Sequence, residues 1–219
     1  MGGILAGELV VALGTHVVLL PLWILLWTGD AETAFLWFLL SRLAYVLFTG
    51  LALHAQDEGE WFTRRWGPEG GFRRFRVAVL ALMDNDFITF MIVCWKNQGS
   101  LNGSFPHWAY PAVGIPLLVG SLVVKSWAVR TLGGGAFFWR SFFIPPGEAR
   151  YVVKGPYRWF KNPMYTVGYA WTYGMALVLR SMPGLIGGLV AQTLVLLLEF
   201  WAERPHTERM KTRAAGPRR

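Results

Sequence analysis

Charge changes abruptly within RYVVKGPYRWFKNPMYTVGYAW, residues 150–171. Four cations fall within its first twelve residues: Arg150, Lys154, Arg158 and Lys161. No charged residue then occurs from residue 164 to residue 179. Gly155-Pro156 is typical of a turn, and Pro163 suits the first position of a helix, where its missing N–H is no loss. The stretch therefore predicts a basic, aromatic cytoplasmic loop that leads into a membrane helix.

The composition is that of a multi-pass membrane protein. Hydrophobic residues make up 54% of the 219 residues, charged residues only 16%, and twelve residues are Trp. The net charge of +8 comes from cations in alternate loops, as the positive-inside rule requires. We therefore expect contact with anionic lipid and no nucleic-acid partner. The single Cys94 excludes an intramolecular disulfide and a Cys-based zinc site, and we expect no metal.

Six apolar stretches have roughly the length that crosses a bilayer. They span residues 10–28, 33–53, 77–95, 108–129, 163–179 and 184–202. Their order predicts an all-α, polytopic membrane bundle of about six transmembrane helices, with both termini on the cytoplasmic side.

The chain divides into three parts on this pattern. Residues 1–107 hold the first three helices and a basic interfacial segment at 54–76, where arginines alternate with aromatic rings. Residues 108–206 hold the last three helices and their connection. Residues 207–219 form a basic cytoplasmic tail.

Several polar residues interrupt the apolar stretches. Arg42 lies near the middle of the second stretch, where a charge costs roughly 2.5–3.5 kcal/mol on insertion scales. It is therefore either a structural ion-pair partner or a substrate contact. Asp84 and Asp86 either pair with such a cation or receive a cationic or proton-donating substrate. His16 is expected to make a structural hydrogen bond.

The last stretch ends with Glu199, Glu203 and His206. A spacing of four residues places both carboxylates on one face of a helix, with His206 about one turn further. A hydrated end-cap is one interpretation. Glu199, however, follows five apolar residues, and an unpaired carboxylate inside a span is costly.

The second half of the chain resembles the integral-membrane methyltransferases that include isoprenylcysteine carboxyl methyltransferase and the phospholipid N-methyltransferases. In that family Leu-Val-x-x-Gly-Pro-Tyr-Arg leads into Arg-His-Pro or Arg-Asn-Pro, then a Tyr and a Gly, a helical hairpin and a Glu-Glu pair. Residues 152–158 and 161–165, followed by Gly168, match this order. The resemblance covers about residues 118–206.

Three positions depart from the family pattern. Lys161 replaces an Arg, Arg204 follows Glu203 where a second acid is usual, and Ala149 falls near a common His. Lys keeps the charge of Arg but loses its bidentate geometry. Arg204 removes an acid that helps to hold the cofactor in the family.

The resemblance implies a methyltransferase that uses S-adenosylmethionine. That molecule carries a carboxylate, an ammonium, a sulfonium and an adenine, so its pocket needs a cation, an acid and aromatic walls, with cation–π attraction of roughly 0.5–2 kcal/mol. The candidate cofactor-binding residues are Gly155, Pro156, Tyr157, Arg158, Lys161, Asn162, Pro163, Tyr165, Glu203 and His206.

The methyl acceptor is expected to be a membrane lipid or another lipophilic molecule, such as a phospholipid amine or an isoprenylcysteine. Arg42 and Trp171 are the candidate substrate contacts. An amine acceptor must lose a proton, and Asp84, Asp86 and Glu199 are the candidate catalytic residues that could accept it. Two alternatives remain: an NADPH-dependent membrane reductase of the sterol-reductase type, and a non-enzymatic transporter or lipid-binding protein. The sequence leaves the oligomeric state open.

Overall fold

The computed structural model describes residues 2–145 and 154–214. It is 82% helical and contains no strand in those two ranges. The helices are α1 (Gly2–Thr28), α2 (Ala31–Gly59), α3 (Trp61–Lys96), α4 (Ala109–Leu132), α5 (Gly134–Phe137), α6 (Ala170–Val178), α7 (Met182–Leu198) and α8 (Arg204–Ala214). Short 3₁₀ turns occur at Arg140–Phe142, Gly155–Arg158 and Val167–Tyr169, and a π-helical segment, Glu199–Glu203, joins α7 to α8.

Within residues 2–145 and 154–214, four helices are long and apolar enough to cross a membrane: α2, α3, α4 and the continuous helix Met182–Met210. The apolar part of α1, Gly14–Thr28, is shorter. Large apolar side chains on the outer faces, such as Leu25, Leu36 and Val123, are at least 60% exposed, as lipid-facing residues are. The predicted all-α membrane bundle is confirmed, whereas the number of six crossings stays a prediction.

The helix ends follow from local hydrogen bonds. Asp30 caps α2, because its carboxylate accepts from the backbone N–H of Thr33 at 2.6 Å and from the Thr33 hydroxyl at 2.7 Å. These hydrogen bonds lower the pKa of Asp30, so the cap is ionised at neutral pH. At the other end of α2 the buried Gln56 accepts from the N–H groups of Phe62 and Thr63, which begin α3.

Segment 54–76, predicted as a basic interfacial segment, is helical on both sides of Glu60. Glu60 has a left-handed backbone (φ 51°), which reverses the chain between α2 and α3. Gly67 (φ 69°) then kinks α3 before Pro68. These helices are not predicted from the sequence, because the many arginines and aromatic rings leave no clear helical period in the segment. Gln56 supplies the cap that begins α3.

A second correction concerns residues 163–179, because only Ala170–Val178 forms an α-helix. Pro163 does not begin a helix: its carbonyl accepts from the N–H of Gly168 at 2.7 Å within a turn. The side chain of Gln192 on α7 donates to the carbonyl of Tyr165 at 3.0 Å, which holds this turn open. A nine-residue helix is only about 14 Å long, less than a bilayer core.

Glycines bring α4 and α6 into backbone contact. A Cβ on Gly174 would lie 2.6 Å from the N atom of Leu118 and 2.8 Å from the carbonyl oxygen of Gly114. Small residues at a helix crossing permit this approach in membrane bundles. Gly168 has the same role next to α4, since a Cβ there would lie 3.4 Å from Cβ of Lys125. The crossing therefore fixes the turn 163–169 against α4.

We expect Gly174→Ala to destabilise the protein by about 1–3 kcal/mol, because the added methyl group meets backbone atoms that cannot move alone. Thermal unfolding in detergent measures the change. Gly120→Ala on α4 is the matched control, since a Cβ there has no neighbour within 4 Å. Equal stability of the two variants would contradict this account of the crossing.

Candidate active site

A partly open cavity of about 120 Å³ lies between α2, α3, α4, α7 and the turn that precedes α6. Its wall is largely aromatic, with two cations and one carboxylate. The aromatic residues are Tyr45, Phe87, Phe137, Trp139, Tyr165, Tyr169 and Trp171. A concave wall of apolar rings with a few polar groups is typical of a site for a small molecule.

Arg42 and Asp86 form a buried ion pair in this wall. Their side chains are 5% and 8% exposed, and the guanidinium donates to Oδ2 of Asp86. The guanidinium also lies over the rings of Tyr45, at 5.4 Å, and Tyr169, at 5.8 Å. The pair offsets the cost of a charge in the middle of α2. Oδ1 of Asp86 is buried with no hydrogen-bond partner in the described part of the chain.

Tyr165 and Glu203 meet at another side of the cavity. The Tyr165 hydroxyl donates to Oε1 of Glu203 at 2.6 Å, and the indole of Trp139 donates to the same carboxylate. Glu203 ends the π-helical segment, in which the N–H of Arg204 bonds to the carbonyl of Glu199. Such segments are frequent at functional sites.

Tyr157 lies close to the same carboxylate. Its hydroxyl is buried, and no hydrogen-bond partner for it occurs within residues 2–145 and 154–214. Burial raises the pKa of Tyr157, and the negative charge of Glu203 raises it further, so the hydroxyl stays protonated and able to donate. The structure thus brings Tyr165 and Glu203 into contact, two residues that the sequence proposed for the cofactor, and the charge of Glu203 acts on the third candidate, Tyr157.

The turn Gly155–Arg158 packs on the end of α4. Gly155 has φ 55°, and a Cβ there would lie 2.7 Å from the Thr131 hydroxyl, so both conformation and space require glycine. Pro156 is buried in the same turn. The Gly-Pro pair therefore acts by fixing the position of Tyr157.

Other candidate residues are not drawn into the cavity. Asp84 faces His16 instead, with 3.7 Å between the carboxylate and Nε2, and both side chains are about 40% exposed. Nδ1 of His206 lies 2.9 Å from Asp57, and the His206 ring stacks on Phe142 at 3.7 Å. Glu199 is half-buried but is not part of the wall.

The two candidate cations of the basic turn, Arg158 and Lys161, are exposed, and neither forms an ion pair with a residue that the structure describes. Asn162 has a local role: its Oδ1 accepts from the N–H of Tyr165 at 3.3 Å. Arg204 points away from Glu203, with its guanidinium 5.1 Å from the Phe200 ring. The start of the matched motif, residues 150–153, and Ala149 lie outside the described residues.

The candidate substrate contacts Arg42 and Trp171 both line the cavity, and sequence reasoning missed four of their neighbours: Tyr45, Lys125, Trp139 and Tyr169. Lys125 interrupts the apolar stretch 108–129 as Arg42 interrupts 33–53, so the same insertion cost could have identified it. Trp139 gives no comparable signal in the sequence.

Comparisons with known proteins found one matching family model and several similar proteins. The family model described as phospholipid methyltransferase matches residues 110–211. Proteins named phosphatidylethanolamine N-methyltransferase match from Scheffersomyces stipitis, at 29% identity over 62% of this chain, Komagataella phaffii, at 30% over 62%, and Schizosaccharomyces japonicus, at 26% over 81%. The chain aligns with only 16–20% of the length of these relatives. No solved structure matches it significantly.

A double-mutant cycle tests the contact between Tyr165 and Glu203. We expect Tyr165→Phe and Glu203→Gln to show a coupling free energy of about 1–3 kcal/mol in unfolding experiments, because the bond joins a hydroxyl to a buried carboxylate. Tyr173→Phe is the control: its hydroxyl donates to the neutral amide of Gln192 at 2.7 Å, and its loss should cost about 1 kcal/mol. Additive effects of the two substitutions would show that the contact does not form.

Proposed function

We propose that this chain is a member of the integral-membrane phospholipid methyltransferases and transfers a methyl group from S-adenosylmethionine to the amine of a phospholipid. The family match over residues 110–211 supports this proposal. The observation that carries the proposal is the hydrogen bond between Tyr165 and Glu203 beside an aromatic cavity that also holds the pair Arg42 and Asp86. The names of the relatives support a phospholipid amine over an isoprenylcysteine, and they do not favour a reductase.

The residues present fit the methyl donor. Glu203 supplies an acid for its ammonium, the exposed Arg158 and Lys161 supply cations for its carboxylate, and the orphan hydroxyl of Tyr157 supplies a buried donor. The aromatic rings of the cavity wall, which Tyr165 connects to Glu203, suit the adenine and the sulfonium. When bound, S-adenosylmethionine supplies a methyl group made electrophilic by the positive sulfur.

The chain must also prepare the acceptor amine, which is an ammonium at neutral pH. Asp86 is the carboxylate in the cavity wall, and its Oδ1 is the oxygen that Arg42 does not hold, so it is placed to accept the proton. The tyrosine rings favour a positively charged amine at their faces and keep water out. Catalysis then depends largely on positioning two molecules in a closed, apolar space.

The orientation of the site follows the positive-inside rule in this proposal. The basic turn before Tyr165 contains four cations, and the tail after His206 is also basic. The four cations are Arg150, Lys154, Arg158 and Lys161. Cations in these positions favour the cytoplasmic side for the cofactor site and for both termini. The donor then enters from water, while the acceptor arrives from the bilayer.

The reaction itself is tested with purified protein, phosphatidylethanolamine in mixed micelles and S-adenosylmethionine carrying a deuterated methyl group. We expect mass spectrometry to detect lipids that have gained one or more labelled methyl groups on nitrogen. Asp86→Asn should lower the rate by roughly a hundredfold, since a positioned base contributes about that much or more. Transfer of label to no phospholipid would refute the proposed acceptor.

Binding of the donor is tested separately with S-adenosylhomocysteine, by calorimetry. We expect Tyr165→Ala and Glu203→Gln each to weaken binding about tenfold, because each removes a charged or hydrogen-bonding contact next to the site. Arg204→Gln should leave the affinity unchanged, since Arg204 lies over Phe200 and away from the carboxylate. Wild-type affinity in both site variants would show that the donor binds elsewhere.

A further inference from the structure

Lys125 is a cation of the cavity wall that the proposed chemistry does not use. It lies on α4, and within the described ranges neither a hydrogen bond nor an ion pair joins its ammonium to another residue. The charges that act on it are Arg42, which repels it, and Asp86, which attracts it. Asp86 is already bonded to Arg42. A half-buried ammonium held in this way is costly unless a ligand completes its hydrogen bonds.

The charge of the cavity indicates the sign of that ligand. Arg42 and Lys125 are the cations among its lining residues, and Asp86 is the carboxylate. Among the described residues of the wall, one positive charge is therefore left over in an apolar surrounding, where an uncompensated charge is costly. An anionic group that contacts both cations would balance it.

An apolar groove meets the cavity at Phe87. This groove has a volume of about 950 Å³, including its open side, and lies between α1 and α3. Its wall contains Trp23, Met91 and Trp95 and is almost free of polar surface. Phe87 lines both spaces and lies 5.3 Å from Trp171, ring to ring.

The cavity and the apolar groove together favour an amphiphilic ligand. From Phe87 to Trp95, α3 advances by about 12 Å, which gives the groove room for part of an acyl chain. A small inorganic anion would use the cations and none of this apolar wall. A lipid with a phosphate head uses both.

We propose that Lys125, together with Arg42, binds the phosphodiester of the acceptor lipid, while one acyl chain passes Phe87 into the apolar groove. This inference rests on the proposed function. In an ethanolamine headgroup only two carbons separate the phosphate ester oxygen from the nitrogen, so the amine stays near the bound phosphate. Charge-assisted hydrogen bonds from the two cations hold the phosphate. The amine then lies within the same cavity, where Asp86 and the tyrosines form the wall.

The binding test needs no methyl transfer. Thermal unfolding of the detergent-solubilised protein is measured with dihexanoyl-phosphatidylglycerol, a phosphodiester lipid without an amine, with dihexanoylglycerol, and with inorganic phosphate. We expect only the phosphodiester lipid to raise the unfolding temperature. Lys125→Gln should abolish that rise, Lys125→Arg should keep most of it, and Arg130→Gln, which removes an exposed cation from the same helix, should keep all of it.

Two results would overturn the inference. Equal stabilisation by inorganic phosphate would indicate a site for a free anion, and an undiminished rise in Lys125→Gln would show that the phosphate binds elsewhere. A variant that fails to fold is replaced by Lys125→Met, which fills a similar volume without the charge.

Kinetics then separate this inference from the proposed function. With labelled donor, Lys125→Gln should raise KM for phosphatidylethanolamine about tenfold and change KM for a long-chain primary amine without phosphate less than twofold. Equal effects on both acceptors would contradict the phosphate contact. If the wild-type protein methylates neither acceptor, the proposed function fails, while the unfolding measurements still decide whether Lys125 binds a phosphodiester lipid.

Discussion

The ion pair between Arg42 and Asp86 is the contact on which the centre of this bundle depends. The two charged side chains are almost fully buried inside a helical structure whose outer faces are apolar and exposed. A charge at that depth is tolerable only with a partner, so α2 and α3 are held in one register relative to each other. The neighbouring bond between Ser41 and Asn85, at 2.6 Å, repeats the same pairing of residues on these two helices.

The pair of Arg42 and Asp86 also explains the position of the cavity. Only one oxygen of Asp86 is bonded to Arg42, and the guanidinium is covered by Tyr45 and Tyr169, so polar and aromatic groups gather at one place. The crossing of α4 and α6 closes the other side, because Gly114 and Gly174 allow their backbones to touch. Stability and function are therefore linked: the same buried groups that fix the helices form the wall of the site.

The second polar centre, Tyr165 and Glu203, depends on irregular backbone. Tyr165 lies in an open turn that Gln192 holds through the main chain, and Glu203 lies at the end of a π-helical segment. Regular helices at both places would aim these side chains differently. Irregular structure at membrane depth is tolerated where it is buried in protein or lines a cavity, as the turn that holds Tyr165 does.

The sequence alone determined the helical class, the membrane setting and the position of the basic turn, because insertion costs and charge placement act locally along the chain. It also indicated Arg42, Asp86, Tyr165, Trp171 and Glu203 as site residues, through their polarity in apolar stretches and through the family motif. It could not decide which of two acids, Asp84 or Asp86, pairs with Arg42. Neighbours in sequence point to different helix faces, and only the packing of α1 and α2 against α3 assigns one to His16 and the other to Arg42. The short α6, the π-helical segment and the presence of Lys125 and Trp139 in the cavity wall likewise follow from contacts between distant residues, which no local pattern records.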